Sequence, residues 1–116
     1  MGVKSPLFRI FMTVYSGRLT TTTPTINTAT STTILAANPD RKLLIIQNNS
    51  AANIMVGLNG ETLTGITPTS TNRGYVLPST AGANTLILKD MSLPSGAITA
   101  YQTSGSAINT IVVIEG

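Results

Sequence analysis

The chain has no cysteine, no histidine and no tryptophan, and charged residues make up only 9% of it. Typical soluble domains carry about 25%. Without cysteine there is no disulfide framework and no thiolate chemistry, which mildly favours the cytosol or an assembly stabilised by its neighbours. Without histidine the usual general base and most zinc sites are gone as well. No apolar run approaches the roughly 18–20 residues needed to span a bilayer, so no membrane association is expected. The carboxylates are Asp40, Glu61, Asp90 and Glu115. They show no D-x-D clustering for calcium and no motif for a glycosidase pair. Gly57-Leu58-Asn59-Gly60 is followed by no Gly-Lys-Ser/Thr and reads as a turn supplying positive φ instead of a phosphate loop. Serine and threonine are plentiful, but without a base they are polar surface. No catalytic, cofactor-binding or metal-ligating residue is expected, and the chain is read as non-enzymatic.

The basic balance, a net charge of +3 with a sequence pI near 9.7, points at first to nucleic acid. Setting Lys4 and Arg9 aside leaves five basic residues, Arg18, Arg41, Lys42, Arg73 and Lys89, against four acidic ones, a net +1. They are scattered apart from Arg41-Lys42, and no aromatic ladder offers base stacking. Nucleic acid is therefore not an expected partner. The N-terminus resembles a signal peptide briefly, but Ile10-Phe11-Met12 is too short an apolar core and no small-residue cleavage site follows. Gly2 does not read as a myristoylation site, because residue 6 is Pro. Asn48-Asn49-Ser50 reads as turn chemistry.

At 116 residues there is room for one domain. Residues 1–32 read as an N-terminal arm and Thr-rich extended segment, and residues 33–116 as a β-sandwich domain. The first twelve residues mix Leu7, Phe8, Ile10 and Phe11 with two cations and form either a docking arm or a disordered leader. Thr20–Thr23, Pro24 and the threonines that follow favour extended backbone and forbid a helix. They read as a solvated crossing, an edge strand, or an arm lying along a neighbour.

Short β-branched apolar runs then recur, each ended by Gly, Pro, Asn or Ser. Strands are predicted near 32–36, 41–48, 53–58, 73–77, 84–89, 97–102 and 108–114, with another near 13–20. Asn38-Pro39-Asp40-Arg41 suits a type I turn, and Leu93-Pro94-Ser95-Gly96 suits another. Residues 47–53 read as a loop between paired strands, and Thr103-Ser104-Gly105-Ser106 as the closure of the last hairpin. No stretch holds a helical period. The fold class is all-β: a single antiparallel β-sandwich or jelly-roll-like domain with an extended N-terminal arm.

Leu43-Leu44-Ile45-Ile46 and Ile111-Val112-Val113-Ile114 are apolar at consecutive positions. Neighbours in a strand point to opposite faces, so one pair lies in the core and the other points outward. Such runs imply that a loop or an adjacent subunit covers the second face, because several exposed Leu or Ile side chains are a liability. The candidate partner-interface residues are Leu7, Phe8, Ile10 and Phe11 in the arm, Leu44 and Ile46 or their neighbours in the first run, and Arg73 with Tyr75, where a cation, an aromatic and apolar residues meet.

The phrase Ile34-Leu35-Ala36-Ala37-Asn38-Pro39-Asp40-Arg41-Lys42-Leu43-Leu44-Ile45-Ile46-Gln47-Asn48-Asn49-Ser50 resembles a segment of small structural proteins of tailed phages. The likeness continues through Asn53-Ile54-Met55-Val56, Gly74-Tyr75-Val76-Leu77-Pro78 and Leu93-Pro94-Ser95-Gly96-Ala97-Ile98-Thr99-Ala100. It ends on Thr110-Ile111-Val112-Val113-Ile114-Glu115-Gly116 and leaves residues 1–32 outside. The resemblance implies a β-sandwich on the virion: a capsid decoration (cement) protein on the capsid surface, made in the host cytoplasm. It would form a homo-oligomer, with a trimer favoured, and bind the major capsid protein. A head–tail connector, tail or fibre subunit, or a receptor- or carbohydrate-binding module on a fibre, are the alternatives. The family transfers no catalytic residue.

Overall fold

Eight short strands carry the described part of the chain, residues 19–90 and 93–116 of a computed structural model. They are β1 (Thr20–Thr22), β2 (Thr32–Leu35), β3 (Leu43–Asn48), β4 (Ile54–Gly57), β5 (Tyr75–Leu77), β6 (Thr85–Lys89), β7 (Ile98–Tyr101) and β8 (Ile111–Glu115). From β2 onward each coincides with a predicted β-branched run, and no α-helix occurs among the described residues. The strand expected near 13–20 falls mostly outside the described residues, and β1 begins at Thr20.

All strand pairs are antiparallel, in two four-stranded sheets ordered β1-β8-β3-β6 and β2-β7-β4-β5. The first strand pairs with the last, the second with the seventh, the third with the sixth, and the fourth with the fifth. That is a long hairpin folded at its middle and rolled into two layers, a jelly roll. Only β4 and β5 are both consecutive and paired. The connections at 49–53 and 102–110 therefore pass from one sheet to the other, where the sequence suggested a loop between paired strands and a closing hairpin.

The core lies between the layers. Leu44, Ile46, Ile111 and Val113 come from one sheet and Ile34, Ile54, Val56, Leu77, Ile98 and Ala100 from the other, closed by Ile26 and Ile108. Ile26 corrects the expected domain boundary. It is fully buried and exchanges two backbone hydrogen bonds with Ile108, so the Thr-rich segment from residue 19 onward belongs to the sandwich. Within that segment β1 is an exposed edge strand on β8.

Buried polar side chains fasten the loops. The Arg41 side chain is 0% exposed. Its Nε donates to Glu115 Oε2 at 2.7 Å, Nη1 to the carbonyls of Pro94 at 2.6 Å and Gly96 at 3.0 Å, and Nη2 to Ala36 O at 2.9 Å. The turn before it forms as the sequence suggests. Arg41 N–H donates to Asn38 O, and Asp40 N–H donates to the Asn38 side chain. Gln102 Nε2 donates to Ile26 O, Thr28 Oγ1 and Ser106 O, while its Oε1 accepts from the Ser104 backbone and hydroxyl. Asn48 in the same way binds Ala52, Leu77 and Ser50. No buried side-chain nitrogen or oxygen among the described residues lacks a partner, as a polar group kept from water requires.

The segment from Leu58 to Gly74 has no regular structure and folds over the outer face of the β2-β7-β4-β5 sheet. Asn59 and Gly60 turn the chain with positive φ, 63° and 78°, as the glycine-bearing motif implied. Leu63 is buried and its N–H donates to Ser31 Oγ, and Thr99 Oγ1 donates to Glu61 O. Gly74 lies so close to Met55 that a Cβ there would sit 2.6 Å from the Met55 side chain. Asn72 clasps the loop from within, donating to Gly65 O and Thr67 O and accepting from Thr64 N–H. Every residue of β4 is consequently buried, Met55 on the outer side included.

Candidate partner interface

The opposite sheet has no such cover among the described residues. Along β3 burial alternates: Leu44, Ile46 and Asn48 are buried, while Leu43, Ile45 and Gln47 are half-buried. Along β8, Ile111 and Val113 point inward and Val112 and Ile114 outward. In register, Ile45 stands between Ile114 of β8 and Ile87 of β6, and Thr21 of β1 faces Ile114 from beyond. Directly opposed residues share a face, so Ile114, Ile45 and Ile87 form one apolar row across the outside of the sheet. Gln47 lies between Val112 and Thr85 in the next row, and Leu43 opposes Lys89 in the row on the other side. Ile87 is 58% exposed. Leu19, also exposed, precedes β1 at the rim of this face.

The sequence offered Leu44 and Ile46 or their neighbours as the residues facing a sister subunit, and the structure turns Leu44 and Ile46 inward. Both are 0% exposed inside their own subunit, and it is their neighbours Leu43 and Ile45 that point outward. In a run apolar at every position, nothing in the side chains marks which alternate set faces in. Leu7, Phe8, Ile10 and Phe11 lie outside the described residues. Arg73 and Tyr75 are both exposed, at and just before the start of edge strand β5 in the other sheet. The Arg73 guanidinium is 3.6 Å from Glu61, a solvent-exposed pair contributing at most about 1 kcal/mol. The structure does not bring these two residues together with the apolar row. They belong to the opposite layer.

The carboxylates are dispersed. Glu115 is engaged by Arg41 and by Asn38 at 3.3 Å, Glu61 faces Arg73, Asp40 sits in the turn before β3, and Asp90 follows β6. Among the described residues no three His, Cys, Asp or Glu side chains gather as metal ligands do. Among the described residues no helix is long and apolar enough to cross a membrane. An open depression of about 460 Å³ lies at one end of the sandwich, lined by Asn49, Ser50, Ala52, Ser104, Ser106 and Asn109 with their neighbours. Its walls are small hydroxyls, amides and methyls, with neither a charge nor an aromatic platform. No protein-family model, curated protein or solved structure matches this chain.

Proposed function

We propose that the protein is a non-enzymatic structural subunit of a virion, a capsid decoration protein that packs onto the major capsid lattice through its β1-β8-β3-β6 side. The observation that carries the reading is the apolar row Ile114–Ile45–Ile87 on the outside of that sheet. An antiparallel sheet with a wet outer face alternates apolar and polar positions. Here both faces of β3 are apolar from Leu43 to Ile46, which suits a sheet covered on both sides. The jelly-roll order of the strands is compatible with this reading, since viral capsid and lectin domains use it, though that is analogy at the level of the fold. The phage resemblance of residues 33–116 supplies the rest. Many copies, each with a modest contact, would together hold neighbouring capsid subunits.

Imaging of particles at subunit resolution tests the reading. Copies spread over the capsid symmetry axes, with the β1-β8-β3-β6 side inward, are the expected result, and Ile45→Asp with Ile87→Asp lowers occupancy while the subunit stays folded. Copies confined to one vertex or to the tail would instead make it a connector or fibre subunit. A lectin-like role on a fibre is the weaker reading, because the depression between residues 49–52 and 104–110 offers no aromatic ring on which a sugar could stack.

A further inference from the structure

The four strand edges of this sandwich are not alike. β1 and β5 are three residues long, Pro78 closes β5, and β2 shifts register between Thr33 and Leu35. Shortness, proline and bulges are devices that keep an edge from pairing with another chain. β6 has five residues, Thr85-Leu86-Ile87-Leu88-Lys89, in unbroken register with β3. Among the described residues no strand lies on its other side. We infer that β6 pairs antiparallel with β6 of a second copy about a two-fold axis at Ile87, joining two β1-β8-β3-β6 sheets into one.

The hydrogen-bond phase of the strand fits this pairing. Asn48 N–H donates to Asn84 O, and the two residues continue the β3–β6 register by one step. Bonded and unbonded pairs alternate along an antiparallel ladder, so Leu86 and Leu88 bond Ile46 and Leu44 through their backbones. The N–H and C=O of Thr85 and Ile87 then point away from β3, toward the open edge. Placing Ile87 opposite its own copy makes a pair that exchanges both backbone bonds. It is also the register that pairs the whole strand. The side chains agree with it. Leu86 of one copy faces Leu88 of the other on the inner side, where both are half-buried against the core. The two Ile87 side chains, more than half exposed in the single subunit, meet on the outer side. Lys89 falls opposite Thr85, which is uncharged and accepts from Gln47 Nε2. A parallel arrangement in register would set the two lysines side by side, and like charges directly opposite destabilise. The strand thus selects a direction as well as a partner.

Edge pairing leaves the outer face uncovered, because a two-fold axis perpendicular to the sheet keeps both outer faces on one side. β3, the longest strand, has six residues, about 20 Å, and four strands side by side span about 19 Å. One subunit therefore offers a face of about 400 Å², half of the roughly 800 Å² per partner that a stable interface buries. Two subunits joined at β6 reach that area, and the row Ile114–Ile45–Ile87 runs on through the same residues of the second copy. The pairing is a property of the isolated chain and does not depend on the proposed function. It deepens that reading by making the packing unit a dimer, where the phage resemblance favours a trimer. A contact one strand wide is weak, with a dissociation constant on the order of 10–100 μM.

Sedimentation velocity of the full chain, from about 1 μM to about 1 mM, is expected to show monomers giving way to dimers. Thr85 is exposed, so its replacement leaves the core of the subunit alone. Thr85→Lys sets a second cation against Lys89 of the other copy and should weaken the dimer severalfold, whereas Thr85→Glu should tighten it severalfold. The chain has no native cysteine, so register is read by crosslinking with glutathione disulfide as oxidant. In a hydrogen-bonded pair the Cα atoms lie about 5.5 Å apart, within the span of a disulfide, so Ile87→Cys should form covalent dimers. Thr85→Cys should not, because its counterpart lies about 13 Å further along the strand. Monomers throughout the concentration series would overturn the inference, as would trimers. So would equal crosslinking at positions 85 and 87, or Thr85→Lys and Thr85→Glu moving the equilibrium the same way. Dimers that form as described yet bind no capsid would sink the proposed function alone.

Discussion

Replacing Arg41 by alanine removes the one donor group shared by three separate segments. The guanidinium reaches Ala36 O after β2, Pro94 O and Gly96 O before β7, and Glu115 on β8. Its side chain is sealed from water, so truncation takes their guanidinium donor from three carbonyls and leaves the Glu115 carboxylate the longer bond from Asn38 at 3.3 Å. Each bond to a charged group contributes about 1.5–3 kcal/mol net, and a simple sum overshoots because water enters the space left behind. Breaking a buried pair from one side costs about 3–5 kcal/mol, and that is the expected loss. Set against a total stability of about 5–15 kcal/mol, it consumes between a fifth and the whole of it. In urea, with a slope of about 1–3 kcal/mol per molar, the midpoint should fall by about 2 M. Arg41→Lys keeps the charge but loses the planar fork, and should fall between wild type and alanine. Glu115→Gln retains an acceptor and should cost less than either. An Arg41→Ala midpoint within about 0.5 M of wild type, at an unchanged slope, would refute the assignment of Arg41 as the tie. Strict additivity of Arg41→Ala with Glu115→Ala in a double-mutant cycle would equally remove the coupling claimed for the pair.

The other expectations concern single sites. Ile46→Ala opens a cavity in the core and should cost about 2–5 kcal/mol, whereas Ile87→Ala should stay within about 1 kcal/mol of wild type in the same urea titration. Equal losses would contradict the inward and outward parity of the sheet. Asn72→Ala should loosen residues 64–71, so that limited proteolysis cuts there while the global midpoint falls by no more than about 1–3 kcal/mol equivalent. Cleavage elsewhere first would count against the clasp. Gly74→Ala pushes a methyl into the Met55 side chain and to within 2.9 Å of Val56 O. It should destabilise by about 1–3 kcal/mol through overpacking, and a neutral thermal scan would show that the loop yields.

The strands from β2 to β8 were legible in the sequence because each is a short β-branched run ended by a turn residue, and those two signals do not depend on tertiary context. The pairing was not legible. Residues 49–53 and 102–110 hold the same Ser, Gly, Asn and Ala that close hairpins, and nothing local says that they carry the chain to the other layer. The need for a cover over β3 could be read from Leu43 to Ile46, but not which residues face in, since parity is invisible where every position is apolar. In the sequence Arg41 is legible only as the last residue of a type I turn. Its burial follows from four acceptors that converge only when β2, β7 and β8 are in place. Ile26 was overlooked because its threonine surroundings read as solvated, although a lone β-branched aliphatic in such a tract was the one available hint.

Because β1 is zipped to β8 and β2 to β7, neither sheet can close while the last strands are still inside the ribosome. Every stage of synthesis before β8 emerges leaves β3 without one of its two neighbours and its apolar row open to other nascent chains. Closing such sequence-distant pairs is intrinsically slow, and unpaired strand edges associate while they wait. Clipping even the final strand should therefore not produce a smaller folded domain but an insoluble chain. The residues of β8 decide the yield of the fold, and tags are better carried beyond Gly116 on a flexible linker than by trimming into β8.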